Sequence, residues 1–141
     1  MSHHVLGQMV RTRSYLVLVP EAVIATDLAQ TIALFDPGAE VICVRSMVEA
    51  EAALPLVDAV EIAFVAGCPS RFVDSALHRG IAERGGRVVM LGIEAEVAGP
   101  TPVFDVLPQP FDTDAVLTKL MAGHLKGGPP VFRMTLVRSV N

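Results

Sequence analysis

The sequence predicts a doubly wound α/β fold, an open sheet of five parallel strands in the order 2-1-3-4-5 with helices on both faces. Three observations predict it. Short apolar runs alternate along the chain with segments of helical spacing, the pattern of repeated strand–helix crossovers. Those runs lack polar alternation, as strands buried on both faces do. Hydrophobic residues make up 52% of the 141 and charged ones 18%, enough for a core on each side of a sheet and too apolar for disorder.

The elements follow in order. Tyr15-Leu16-Val17-Leu18-Val19 is the first strand, stopped by Pro20. From Glu21 to Phe35, Ile24, Leu28, Thr31, Ile32 and Phe35 recur at helical spacing, and Asp36-Pro37-Gly38 ends that helix. Val41-Ile42-Cys43-Val44 is the second strand. Ser46-Met47-Val48-Glu49 is a capping-box pattern, in which serine and glutamate satisfy exposed backbone N–H groups, and Pro55 keeps the helix short. Val60 to Ala66 is the third strand. Ser70 is expected to cap a helix through Phe72, Val73, Ala76, Leu77 and Ile81, closed by Gly85-Gly86. Val88 to Leu91 is strand four and Phe104 to Leu107 strand five. Asp112 or Thr113 opens the last helix, with Val116, Leu117, Leu120 and Met121 on one face. One domain over 14–126 is expected, between an N-terminal extension (1–13) and a Gly-Gly-Pro-Pro linker with a tail (127–141). In the tail Phe132, Met134 and Leu136 alternate with Arg133, Thr135 and Val137, so it reads as an added edge strand, an arm on a partner, or a disordered end.

Several functions are excluded by what the chain lacks. A net charge of −4 and a pI near 5.5 give no basis for nucleic-acid binding; Arg11 and Arg13 are a small basic spot. The mean hydropathy of +0.52 is high, yet charges or prolines break every apolar run short of a membrane span. Met1-Ser2-His3-His4 opens without the apolar stretch of a secretory signal, and Cys43 and Cys68 make no disulfide framework, so a reduced cytoplasmic setting is expected. Two adjacent histidines without a third ligand are no metal site. Val19-Pro20-Glu21-Ala22 has none of the glycines of a dinucleotide or phosphate-binding loop, and no paired carboxylates, Cys–His pair or G-x-S-x-G stand at a usable position. Cys68 lies in a loop with no His or Lys beside it and reads as inert. His78 and His124 read as surface residues.

Between Ser14 and Leu125 the chain resembles a response-regulator receiver domain of flavodoxin-like architecture. The resemblance rests on the element order, the short alanine-rich helix after Ser46, the 60–66 strand, and Leu107-Pro108-Gln109-Pro110-Phe111. The last stretch is similar to the receiver's strand-five ending, where a lysine precedes a proline, often in cis, and an aromatic. In that family two acids after strand one and an aspartate ending strand three hold Mg²⁺, and a hydroxyl and a lysine then bind the phosphoryl group. Carried over residue by residue, the acid pair falls on Pro20 and Glu21, the phosphoacceptor on Ala66, the hydroxyl on Gly92 and the lysine on Gln109. Only Glu21 keeps a suitable group, and one carboxylate cannot assemble the oxygen cage Mg²⁺ requires. The resemblance therefore implies a degenerate pseudo-receiver: not an enzyme, without cofactor or metal, binding proteins in signal transduction independently of phosphorylation. The alternative is a small-ligand sensor using the pocket around Glu21, Ala66, Cys68, Gly92 and Gln109.

One departure points to a partner surface. Gly99, Pro100 and Pro102 limit the segment between strands four and five to a loop or a single helical turn. Receivers carry a full helix there. Its loss is expected to expose Phe104, Val106, Phe111, Leu117, Leu120 and Met121, the face on which the chain would pair as a homodimer.

Overall fold

The computed structural model describes residues 13–126. The N-terminal extension and the tail, with the readings made of them, lie outside the described residues. The strands are β1 (Ser14–Leu18), β2 (Glu40–Val44), β3 (Ile62–Ala66), β4 (Arg87–Leu91) and β5 (Asp105–Val106). All neighbouring pairs are parallel, in the order β2-β1-β3-β4-β5, so the architecture is the open flavodoxin-like sheet the sequence predicts. Helices fill the connections: α1 (Ala22–Phe35), α2 (Met47–Ala53) running into a 3₁₀ turn (Leu54–Leu56), α3 (Pro69–Val73), α4 (Ala76–Glu83), α5 (Ile93–Ala98) and α6 (Thr113–Lys126).

The alternation of side chains along each strand sorts the core into two layers. Tyr15, Val17, Ile62, Phe64, Val89 and Leu91 face α1 and α6, where Leu28, Ile32, Val116 and Leu120 meet them. Leu16, Leu18, Ala63, Val65, Val88 and Met90 face the other way, onto Ala50, Leu54, Phe72, Leu77, Ile81 and Ala95. Every residue of β1 is buried, as its unbroken apolar run requires.

Local chemistry sets the helix ends. Ser46 Oγ accepts from Glu49 N–H at 3.2 Å, and the Glu49 carboxylate accepts from Arg45 N–H at 2.9 Å, one residue before the cap. The expected single helix from Ser70 to Ile81 is instead two. Cys68 precedes the first, with Pro69 at its opening position, where a missing N–H costs nothing. Ser75 then ends one helix and starts the next, its hydroxyl donating to Phe72 O at 2.6 Å and accepting from His78 N–H at 3.2 Å. His78 is half-buried rather than a free surface residue: Nδ1 lies 3.2 Å from Val73 O and the ring 5.1 Å from that of Phe72. At the opposite end of the sheet, Tyr15 donates to Asp36 at 2.9 Å, tying β1 to the end of α1; burial, then the Asp36 charge, push the phenol well above its usual range.

The outer edge of β5 is closed by its own side chain. Asp105 Oδ1 accepts from Val106 N–H at 2.8 Å, and Oδ2 from Lys119 Nζ at 3.0 Å. Partial burial works to raise the Asp105 pKa. The bonds from Lys119 and Val106 and the charges of Lys119 and Arg87 outweigh it, and the carboxyl sits below its usual value. A depressed carboxyl pKa contributes stability that is present above the unfolded value, near 4, and lost as pH falls through the folded one. Asp105→Asn is therefore expected to lower stability at neutral pH and to flatten the acid limb below about pH 4, as read by urea melts across pH.

Candidate functional site at the C-terminal ends of the strands

In an open parallel sheet, ligands bind beyond the carboxyl ends of the strands, where neighbouring connections leave in opposite directions. β1 and β3 part in this way, toward α1 on one face and α3 on the other. Ala66 ends β3 opposite Leu91, and Gly67 N–H donates to Leu91 O at 3.2 Å. Gly92 follows β4 with φ +115°, a backbone that L side chains rarely adopt. A Cβ at Gly92 would lie 3.9 Å from Gly67 N, so backbone conformation rather than space favours glycine there. A serine or threonine at this position would carry its hydroxyl only on a strained backbone.

Pro20, Glu21 and Gln109 are exposed, and Ala66 and Gly92 half-buried. Glu21 is the N-cap residue of α1, in extended conformation, and its side chain makes no cap bond. The Gln109–Pro110 bond is cis. Gln109 N–H donates to Glu96 Oε2 at 2.9 Å, so an α5 carboxylate closes onto the connection after β5, beside the position that would carry the lysine. The connections at this end are acidic: Glu94 and Glu96 on α5, Asp112 and Asp114 at the start of α6, and Glu21. Two cations, Arg45 after β2 and Arg71 on α3, stand against these five acids at the same end of the sheet. Among the described residues, no three His, Cys, Asp or Glu side chains come together in a way that could hold a metal ion, so the groups present do not fit a Mg²⁺ cage.

Cys68 is half-exposed at the opening of α3. Its pKa is lowered by the Ser70 hydroxyl, whose Oγ lies 3.2 Å from Sγ, and then by the backbone N–H of Arg71. The sequence reading looked for a cationic neighbour and missed this source; a serine two residues past a cysteine, ahead of a helix, was the available signal.

The expected partner face is corrected in part. Phe104, Val106 and Leu120 are buried within the chain, Phe111 and Leu117 are half-buried, and only Met121 is more than half exposed, at 52%. The short α5 explains the difference: Ala95, fully buried, packs in the same layer as Phe104 and Val106. Thr101 Oγ1 also accepts from the N–H groups of Val103 and Phe104, at 3.0 and 3.2 Å, folding Phe104 inward. Six helical residues, ended by Gly99 at φ +77°, suffice for the cover that a longer helix was expected to provide. Exposed apolar side chains do flank β5, at Ile93, Val97 and Val103, and the sequence reading named none of them. Ile93 and Val97 lie four apart on α5 and share its outer face.

A cavity of about 350 Å³ lies elsewhere, on the flank of the sheet between α1 and the edge strand β2. Ala22, Ala25, Ala29 and Ala33 form its helical wall and Cys43, Val44 and Arg45 its strand wall. The spacing of those alanines, on a different face of the helix from Leu28 and Ile32, was the signal for it.

No helix among the described residues is long and apolar enough to cross a membrane. Comparisons with protein families, curated proteins and solved structures find no match to the chain.

Proposed function

We propose that the chain is a non-catalytic, receiver-like module of a cytoplasmic signalling pathway, acting by binding proteins without being phosphorylated, and that it pairs as a homodimer. One observation carries the reading. The strand ends that would hold a phosphoaspartate present Ala66, Gly92 in a backbone strained for any residue with a hydroxyl, and Gln109, whose main-chain N–H is bonded to Glu96, with acids around them. For the dimer, support comes from Ile93, Val97 and Val103, exposed at 76, 84 and 49% on the segment before β5. Protein binding is favoured over a small-ligand sensor because the cavity of about 350 Å³ takes in Val19 and Ala22 but none of Ala66, Cys68, Gly92 and Gln109.

Incubation with acetyl phosphate and Mg²⁺ tests the phosphorylation half. Intact mass spectrometry is expected to show no added phosphoryl group, since alanine offers no nucleophile at the strand end. A stoichiometric acyl phosphate, for example on the exposed Asp58, would overturn it. Sedimentation at tens of micromolar protein tests the dimer, and a monomer there ends that half of the proposal.

A further inference from the structure

The two edges of the sheet differ in what they leave unbonded. At β5, Asp105 takes the outward N–H of Val106. At β2, Glu40 N–H donates to Arg13 O at 2.8 Å and Val44 O accepts from Val19 N–H at 3.3 Å, so the even-numbered residues bond inward to β1. Alternation aims the N–H and C=O groups of Val41 and Cys43 outward, and among the described residues nothing bonds to them. The next outward N–H on either side is already taken: Ala39 donates to Asp36 O at 3.0 Å and Arg45 to the Glu49 carboxylate at 2.9 Å. The open stretch is therefore confined to Val41 and Cys43 and centred on Ile42. β2 holds no lysine or proline to guard it, and its one charge, Glu40, stands at the strand's beginning.

We propose that β2 pairs with β2 of a second copy, antiparallel about a two-fold axis through Ile42. The pattern of open groups selects this occupant. In that register Val41 of each copy faces Cys43 of the other as a hydrogen-bonded pair, and each such pair exchanges two bonds. Every group left open at Val41 and Cys43 on both copies is then used. Moving the axis to Cys43 or to Val41 would set Val41 against Arg45 or Cys43 against Ala39, whose N–H groups are already bonded. Charge selects the direction. Antiparallel pairing sets the exposed Glu40 end of one strand beside the exposed Arg45 end of the other, whereas parallel pairing sets like charges side by side. The side chains suit it as well. Ile42, half-buried against the layer of Ala50 and Leu54, meets Ile42 of the second copy at the axis. On the other face Cys43 lines the cavity of about 350 Å³ whose helical wall is alanine, and the residue set opposite it, Val41 of the second copy, is apolar. The contact is isologous and closes at two copies. It goes beyond the pairing proposed for the α5 face, which lies toward the opposite edge of the sheet, and neither contact excludes the other.

The test uses the full chain carrying Val97→Asp, which removes the α5 contact, together with Cys43→Ser and Cys68→Ser. To this is added either Ile42→Cys, at the axis, or Glu40→Cys, two residues away and exposed. Facing residues of a non-hydrogen-bonded antiparallel pair have Cα atoms about 4.5 Å apart, within reach of a disulfide, whereas the two copies of position 40 stand about 14 Å apart along the strands. Under diamide, the Ile42→Cys chain is expected to form a covalent dimer at least about tenfold faster than the Glu40→Cys chain. Equal rates, or no covalent dimer, overturn the proposal. A second measurement needs no added cysteine. In the Val97→Asp chain, amide exchange at Val41 and Cys43 is expected to slow at least about tenfold between about 10 and 500 µM protein. Val41→Pro, which removes an outward donor and no bond to β1, is expected to abolish that slowing at Cys43. Exchange that is fast at every concentration overturns the proposal. Exchange that is equally slow at every concentration overturns it as well, because the cover then comes from within one chain. Either failure leaves the phosphorylation and α5 tests above as they stand.

Discussion

Leu120→Asp is expected to unfold the protein rather than release a monomer. Leu120 is 2% exposed and packs in the layer that holds Phe64 and Val116. A carboxylate there has no partner, so it stays ionised at a cost of several kcal/mol or takes up a proton and remains an unsatisfied polar group; about 3–5 kcal/mol is the expected loss. That is a large part of a domain's total stability, which is of order 5–15 kcal/mol. Urea unfolding of the purified variant measures it. Val97→Asp is the contrast: at 84% exposure the added charge stays in water, so unfolding stability is expected to hold within about 0.5 kcal/mol, while the homodimer proposed above is expected to dissociate. A Leu120→Asp protein that stayed folded and became monomeric would show that the side chain faces a partner rather than the sheet.

Phe64→Ala is expected to cost about 3–5 kcal/mol, among the largest effects of any single truncation in the chain. Phe64 is fully buried at the centre of β3, the middle strand of the sheet, between Val17 of β1 and Val89 of β4. Neighbouring strands fix the backbone on both sides, so the space left by the ring cannot collapse without shifting α1 or α6. Denaturant melts are expected to show a lower midpoint with the same slope. A loss under about 1 kcal/mol would mean that those helices close readily over the gap.

The core was legible because strand burial leaves a simple trace. Five apolar runs without alternation, separated by helical spacing, specify a sheet covered on both faces. Proline and glycine punctuation gave the boundaries of α1 and the shortness of α5. Ser70 was mistaken for the cap that Ser75 provides, because either serine precedes residues of helical spacing. Only the backbone decides which hydroxyl meets a free N–H. The strand-end residues were legible as a list, Pro20, Glu21, Ala66, Gly92 and Gln109, since each stands at the end of a recognisable strand. The Glu96–Gln109 bond that joins two of their connections was not, for it links residues 13 apart across a turn.

By itself the sequence determined which residues enter the sheet, which residues stand at its carboxyl ends, and where the helices must be short. Those properties belong to single residues and their periodicity, and no packing is needed to read them. Only the tertiary structure decided which apolar surfaces are covered. Phe104, Val106 and Leu120 carry the same pattern whether they face solvent or the sheet, and the angle at which α5 and α6 settle puts them inside. The two edges were told apart in the same way: a carboxylate closes β5, and among the described residues none does so beside Val41 and Cys43 on β2. Exposure depends on what lies across a gap of a few ångströms, and residues distant in the chain supply it.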